Sequence, residues 1–566
     1  MSDWNSVDPE IEISREFFEI ASDFANPLEA VREAISNAYD WNANNIWISF
    51  NVENIEGKKT LVVKFKDDGQ GMSKDAVTSV FWGLGKSEVR GKAGKIGEKG
   101  HGTKIFLRSE KVIVRTLGPD GAYESECERP FRDLSCGKLH KPRWRTCQAP
   151  SDRSSFAEIT LQGYNNNERS QFIQPIVKDY IQWFSKAGSI EKYFRNTKAR
   201  PIIVHLKCLD VDNFEELEYG HPFPEEEHNL EELFKKYELD AADYFVKRFQ
   251  IEDERLKNLP DVCYQAIIFV EGDKAKRKHN PMIRQRIQAH SLGYRVADRY
   301  GIWLCKDFIP IERVNEWITG FGSGSNAFVL LHGFVNCQAL SLTANRGNVA
   351  NTDQEIIEGL KGAVTELVAE IDKDIIKNNL YTLMSWQEEV RTLEIEKADF
   401  KKRTELGKNK FFYNFEGVTL YEPSNEAELF GLFMQIYSKK PDLFDFEPLD
   451  YSINRGIDLV ARKKSPGRVD ESPYGYVEFK YKLSGDFNHS FKNLRWIVCW
   501  DFGQDCKDGS ILTSRVERGE RKLIFPSGAS ADLYFLDDPR GHMKIQILRL
   551  REFLIQKLNL RFEKRI

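Results

Sequence analysis

The chain has 566 residues, 41% hydrophobic and 30% charged, with a formal net charge of −5. A single hydrophobic core does not organise that length, so about three or four domains are expected. The mild acidity excludes a generally polybasic, nucleic-acid-coating protein, so any such binding must come from local patches.

No stretch approaches the roughly 20 apolar residues of a membrane span. The acidic opening MSDWNSVDPEIEIS lacks the apolar centre of a signal peptide. Nine cysteines without a CxxC pair suggest reduced thiols and a cytoplasmic protein. Residues 15–40 are predicted as a helix, because Phe17, Ile20, Ala21, Phe24, Leu28, Val31, Ile35 and Ala38 recur at three- and four-residue steps. Strand-like runs follow at Ile46–Val52 and Leu61–Phe65. The Gly/Lys-rich stretch 83–102 reads as a mobile loop, and Ile105–Leu107 and Val112–Thr116 resume apolar structure. Further strands are expected at Ile202–Leu206, Tyr264–Val270, Gly301–Cys305 and Ala327–Val335. The acidic run 214–240 reads as a solvated surface insertion. Residues 353–405 form a long helical stretch with an apolar stripe of Ile356, Leu360, Val364, Leu367, Ile371 and Ile375, ending in the polar linker-like segment KKRTELGKNK. The expected domains are 1–165, 166–351, 352–410 and 411–566, all α/β except the helical third.

Three motifs near the N-terminus have nucleotide-site chemistry. Glu33 and Asn37 lie four apart and project from one helix face, with Asp40 near it. A carboxylate there can deprotonate water, and an amide oxygen can ligate Mg²⁺. Asp67-Asp68-Gly69-Gln70-Gly71-Met72 follows a strand; its glycines allow close backbone approach, and Asp67 can accept a hydrogen bond from an exocyclic amine. Gly97-x-x-Gly100-His101-Gly102-Thr103-Lys104 offers backbone N–H groups to phosphates. Each piece alone is weak. In this order and at these separations they resemble the GHKL ATPase superfamily over about residues 15–165, a group that includes type II topoisomerase ATPase subunits, MutL, the ninety-kilodalton heat-shock protein, Microrchidia proteins and histidine kinases. The resemblance implies a Bergerat-type α/β sandwich that binds ATP with Mg²⁺. Glu33 would be the general base, Asn37 the metal ligand and Asp67 the adenine-binding acid. Gly69, Gly71 and Met72 would line the base pocket, while Asp40, Gly97, Gly100, His101, Gly102, Thr103, Lys104 and the lid residue Lys86 would complete the nucleotide site.

Gly301-Ile-Trp-Leu-Cys-Lys306 and Ser341-Leu-Thr-Ala-Asn-Arg346-Gly-Asn348 resemble the transducer domain that follows the ATPase in MutL- and Microrchidia-like proteins. In such proteins a basic residue of this domain reaches the γ-phosphate, and Arg346 takes that part here. A cation there stabilises charge on the transferred phosphoryl group. Arg346 can also be read as a surface-loop arginine.

A second acid-rich set lies near the C-terminus. Asp458 is followed, twenty residues on, by Glu478-Phe479-Lys480, each acid in a strand-like apolar run. Strand alternation puts Glu478 and Lys480 on one face. Two carboxylates and a lysine can hold Mg²⁺, activate water and neutralise a phosphodiester transition state. This resembles the PD-(D/E)xK nuclease superfamily over about residues 424–505, with a restriction-endonuclease-like α/β fold. Asp458 and Glu478 would ligate metal, and Lys480 would assist the nucleophile. Glu428 would complete the site from a helix, with Glu426 as its rival. Gly456-Ile457 stands where that family has a proline.

Cys127, Cys136, His140 and Cys147 could form a zinc site, but their spacing fits no common finger and they read first as simply buried residues. The basic run Lys274–His279 either tracks a phosphate backbone or is simply solvated. The expected protein is therefore an ATPase that dimerises on nucleotide binding and gates cleavage of DNA, or alternatively RNA, in prokaryotic antiviral defence. The competing readings are an ATP-driven nucleic-acid clamp and a chaperone-like conformational machine.

Overall fold

Pro27 and its neighbours split the first amphipathic segment into two helices, Ile13–Ser22 (α1) and Glu29–Asp40 (α2), where the periodicity predicts one. Asn26 Oδ1 accepts the Leu28 N–H at 3.0 Å and Glu29 Oε1 accepts the Asn26 N–H at 3.2 Å, a reciprocal cap that starts α2 afresh. Asn42, at φ +61°, closes its C-terminal end. The computed structural model describes residues 12–85, 96, 101–149, 154–195, 197, 199–283, 293–322, 327–343, 346–451, 458–464, 473–517, 519–526, 534–538 and 544–564. The chain packs as two units, Met1–Arg391 and Thr392–Ile566.

In the first unit, α2 leads into the strands Asn45–Ile55 (β1), Lys58–Asp67 (β2), Lys111–Gly118 (β3) and Gly121–Glu128 (β4). Pro130–Ser135 (α3), Arg143–Thr146 (β5), Phe156–Gln162 (β6), Gln174–Phe184 (α4), Ile203–Lys207 (β7) and Glu215–Leu217 (β8) follow. They form one sheet in the order β5-β4-β3-β6-β2-β1-β7-β8. Neighbours are antiparallel except β1 and β7. Period-two alternation buries Ile46, Ile48, Phe50, Leu61, Val63 and Phe65 against Val31, Ile35 and Ala38 of α2. The sheet draws strands from as far as Leu217, so the acidic run is in part an edge strand. Later in that run Leu233, on Leu230–Tyr237 (α5), is fully buried.

A second sheet contains Val246–Arg255 (β9), Cys263–Glu271 (β10), Gly301–Lys306 (β11), Ile309–Arg313 (β12) and Leu331–Asn336 (β13), ordered β12-β11-β13-β10-β9, with Asp273–His279 (α6) after β10. Its two faces serve different cores. Ala266, Ile268 and Val270 face Gln354–Lys377 (α7) through Leu360, Val364 and Ile371. Ile267, Phe269 and Phe334 face Trp183, Ile190 and Phe194, which follow from the first layer. The predicted 353–405 helix is interrupted at Asn379, φ +59°, and resumes as Leu380–Lys408 (α8), so the polar segment expected as a linker is largely helical.

The second unit pairs Phe411–Phe415 (β14) with Val418–Tyr421 (β15), followed by Glu426–Lys439 (α9). Its main sheet is built from Phe446–Tyr451 (β16), Leu459–Lys463 (β17), Tyr474–Leu483 (β18), Asp486–Phe487 (β19), Leu494–Phe502 (β20), Ile511–Ser514 (β21), Glu520–Ile524 (β22), Tyr534–Asp537 (β23) and Ile545–Arg549 (β24). The order is β16-β17-β18-β20-β24-β23-β22-β21-β19, parallel between β18, β20 and β24. Leu429, Leu432, Phe433 and Ile436 of α9, with Leu550 and Leu554 of Leu550–Leu558 (α10), cover Val477, Phe479, Trp496 and Val498. Alternation turns Glu478 and Lys480 to the opposite face.

Two glycines let the chain after β2 cross the end of β3. A Cβ on Gly71, whose φ is +69°, would lie 2.1 Å from the Leu117 carbonyl oxygen, and one on Gly118 would lie 2.1 Å from that of Met72. The Met72 N–H donates to Thr116 Oγ1 at 2.7 Å. Both obstructions are main chain and cannot rotate away. Gly71→Ala should therefore destabilise the first sheet by about 3 kcal/mol, through left-handed strain and overpacking together. The check is a lowered thermal transition of the N-terminal unit.

Candidate functional sites

Helix α2 presents its polar residues from a largely buried position. Glu33 is buried with its carboxylate directly against the Gly102 main chain, where an added Cβ would meet Glu33 Oε2 at 1.9 Å. Arg32 Nη2 lies 3.6 Å from Glu33 Oε1 and 2.9 Å from Glu29 Oε2, so the guanidinium offsets part of the cost of burying both acids. Asn37 is half-buried one turn on, and its side-chain amide has no hydrogen-bond partner among the described residues. That leaves a carbonyl oxygen suited to a hard cation. Asp40, buried a further turn along, accepts the Ile96 N–H at 2.8 Å.

The two adjacent aspartates after β2 divide their work. Asp68 is structural: Oδ1 accepts the Asn44 and Asn45 N–H groups and Oδ2 the Asn45 amide, all at 2.8 Å. Asp67 accepts the Gly69 N–H at 3.0 Å, and burial pushes its carboxyl up to about 6. A Cβ on Gly69 would sit 2.8 Å from the Trp41 carbonyl oxygen, so this turn tolerates no side chain. Met72 packs at the edge of the same core.

Gly102 opens a short 3₁₀ helix, Gly102–Leu107, preceded by His101. Thr103 Oγ1 donates to the Phe81 carbonyl at 3.1 Å. Lys104 Nζ donates to the same carbonyl at 2.8 Å and to Thr103 Oγ1 at 2.7 Å. Lys104 is buried with no carboxylate partner among the described residues, and desolvation brings its ammonium down to about 7. Lys86, Gly97 and Gly100 lie outside the described residues. Arg346, in the left-handed region at φ +55°, is held at two points. Its Nη1 donates to the Ile96 carbonyl at 2.6 Å, and Nη2 to Asp307 Oδ2 at 2.8 Å. The structure thus brings Arg346 beside a residue that is itself bonded to α2.

In the second unit, Glu478 is buried on β18. Its Oε1 takes Lys480 Nζ at 2.8 Å and His489 Nε2 at 3.2 Å, while its Oε2 is buried without a hydrogen-bond partner. Burial pushes the Glu478 carboxyl up to about 7. Asp458 precedes β17, accepts the Phe479 N–H at 2.8 Å, and is also raised by burial. The two helix acids separate clearly. Glu428 is spent on Ser424, whose N–H and Oγ both donate to it at 2.8 Å, and on Lys410 at 2.5 Å. Glu426 lies 3.4 Å from Lys480 Nζ, so Glu426 and not Glu428 is brought to the Lys480 cluster. His489 has no motif signal in the sequence; only the fold returns it to β18. Gly456 and Ile457 lie outside the described residues.

Among the described residues, no group of three or more His, Cys, Asp and Glu side chains is gathered to hold a metal ion. The cysteine–histidine set of residues 127–147 accordingly shows no zinc cage, and His140 packs edge-on against Phe17. The Asp458–Glu478 pair would need main-chain or water oxygens to complete a coordination sphere. The orphaned Glu478 Oε2 fits such a ligand.

Residues 25–123 match the family described as histidine kinase-, DNA gyrase B- and HSP90-like ATPases. The match covers α2, the Asp67–Met72 turn and Gly102–Lys104. The sheet and helices there are consistent with a GHKL-type ATPase domain, which suggests ATP binding. No curated protein matches the chain. No helix among the described residues is long and apolar enough to cross a membrane.

Asp67 yields a pH test. An exocyclic amine would be accepted best by the ionised carboxylate, and burial pushes this carboxyl up to about 6. Adenine-nucleotide affinity should hold above that pH and fall as pH drops through it, by up to about tenfold per unit. Calorimetric titration between pH 5 and 8 reads this, and Asp67→Asn should flatten the profile.

Proposed function

We propose that the chain binds and hydrolyses ATP at the α2 site and that this turnover gates Mg²⁺-dependent cleavage of nucleic acid by the C-terminal unit. The family match over residues 25–123 supports the first half. In this reading Asp67 accepts the adenine amine, and Gly69, Gly71 and Met72 border the base. The Gly102–Lys104 turn faces the phosphates, and Lys86, Gly97, Gly100, His101 and Asp40 complete their surroundings. Glu33 takes a proton from the attacking water, and Asn37 would hold Mg²⁺ through its amide oxygen. Arg346 offsets charge developing on the transferred phosphoryl group.

The single observation supporting cleavage is the buried Glu478 Oε2 without a partner, beside Lys480 and near Asp458. A buried carboxylate oxygen left unpaired is costly, and a cation removes that cost. Glu478 and Asp458 would hold Mg²⁺, which when bound supplies Lewis acidity and an activated water. Lys480 orients the nucleophile and offsets phosphodiester charge. ATP closes the 83–102 segment and pairs two chains, since binding favours the state that makes more contacts to the triphosphate. Two paired C-terminal units then cut both strands of DNA, with RNA as the alternative target. By analogy of architecture alone, the setting is cytoplasmic, restriction-like antiviral defence. The second reading is an ATP-driven clamp that does not cut, favoured by the lack of a three-ligand metal group among the described residues.

Incubation with plasmid DNA, Mg²⁺ or Mn²⁺, and ATP separates these readings. Cleavage should need ATP and fall about 100-fold or more in Lys480→Ala. Intact plasmid under every combination would favour the clamp. ATP turnover should fall about 1,000-fold in Glu33→Ala with nucleotide still bound. Light scattering should show doubling of mass with a non-hydrolysed ATP analogue.

A further inference from the structure

The turn joining β11 to β12 is a two-residue connection, Asp307-Phe308, both left-handed at φ +56° and +61°. Left-handed pairs of this kind form the tight hairpin turn whose twist matches the strands, and they strongly favour Gly, Asn and Asp. A phenylalanine there is strained, so the surroundings must hold the turn. They do: the Phe308 N–H donates to Oδ1 of the fully buried Asn336 at 2.8 Å, and Asn336 Nδ2 donates to Gln265 Oε1 at 2.8 Å. The buried Lys186 donates through Nζ to the Asp307 carbonyl at 3.1 Å and to Glu191 Oε2 at 2.6 Å. The same ammonium stands over the Tyr39 ring, 4.9 Å from its centroid, next to Asp40 on α2.

This fixed main chain aims the Asp307 side chain at Arg346 Nη2, 2.8 Å away, while Arg346 Nη1 reaches the Ile96 carbonyl. The Ile96 N–H closes the chain onto Asp40. Arg346 has a left-handed backbone of its own, and these two contacts hold its guanidinium at both nitrogens. We infer that Asp307 is the positioning residue of the ATPase site, holding the Arg346 guanidinium beside the Ile96–Asp40 contact at the C-terminal end of α2. The inference rests on the ATPase reading above and adds to it a residue on the β11–β12 turn, through which the second sheet is coupled to hydrolysis.

The pair is tested by steady-state ATP turnover and nucleotide binding on the full chain. Asp307→Asn keeps a residue that tolerates the left-handed turn and removes only the charge. It should lower kcat about tenfold while changing KM and nucleotide affinity less than about threefold. Arg346→Ala leaves the turn untouched and should lower kcat at least as far. The double variant should match Arg346→Ala alone, because the carboxylate acts only through the guanidinium. Unchanged or raised kcat in Asp307→Asn, or losses that multiply in the double variant, would overturn the assignment while leaving the ATPase intact. Absence of Glu33-dependent turnover in the unsubstituted chain would remove the ATPase reading and this inference with it.

Discussion

The packing of the Gly102 main chain against the Glu33 carboxylate is the contact around which the N-terminal site is organised. It joins the polar edge of α2 to the start of the 3₁₀ helix at a distance no larger residue permits. The apolar face of α2 fixes the helix on the sheet through Val31, Ile35 and Ala38. Because that face is fully committed, the positions of Glu33, Asn37 and Asp40 follow from the core and not from the site. A helix so placed orders these polar groups before any ligand arrives, which lowers the ordering cost of binding there.

Burial is used selectively at both ends of the chain. Asp68 is saturated with three donors, while its neighbour Asp67 is desolvated and raised. Glu428 is saturated by Ser424 and Lys410, while Glu478 is buried with one oxygen unpaired. In each pair one acid is saturated by nearby donors, while the other is buried with its carboxyl raised, and Glu478 alone of these keeps an oxygen without a partner. Structural ion pairs also shift titrations, so perturbation alone does not mark function. What separates Glu478 is geometry: one buried oxygen without a partner beside Lys480 and His489.

Much of this was legible in the residues. The Glu33/Asn37 spacing needs only helical geometry, and the Glu478/Lys480 pairing only strand alternation, so both survive errors in element boundaries. The ends of elements were harder. Hydrophobic periodicity runs through Pro27 and Asn379 without registering the cap at Asn26 or the left-handed residue that restarts the helix. The strands β7 and β8 join the first sheet by long-range pairing, of which a local apolar run holds no trace. Glu426 and Glu428 both sit in the first turn of α9, and their roles are divided by Ser424 and Lys410, one a local capping partner and the other distant in sequence. His489 and Asp307 carry no motif, because their relevance comes from which side chain the fold sets opposite them.

Lys104 shows the same selective use of burial. Its ammonium is buried, bonded among the described residues to a carbonyl and a hydroxyl, and pulled down to about 7 by desolvation. Most buried lysines are held by a carboxylate, as Lys186 is by Glu191 in the same unit. The same unit provides Lys186 with its acid and leaves Lys104, among the described residues, with only neutral partners, so its burial is met by favouring the neutral amine.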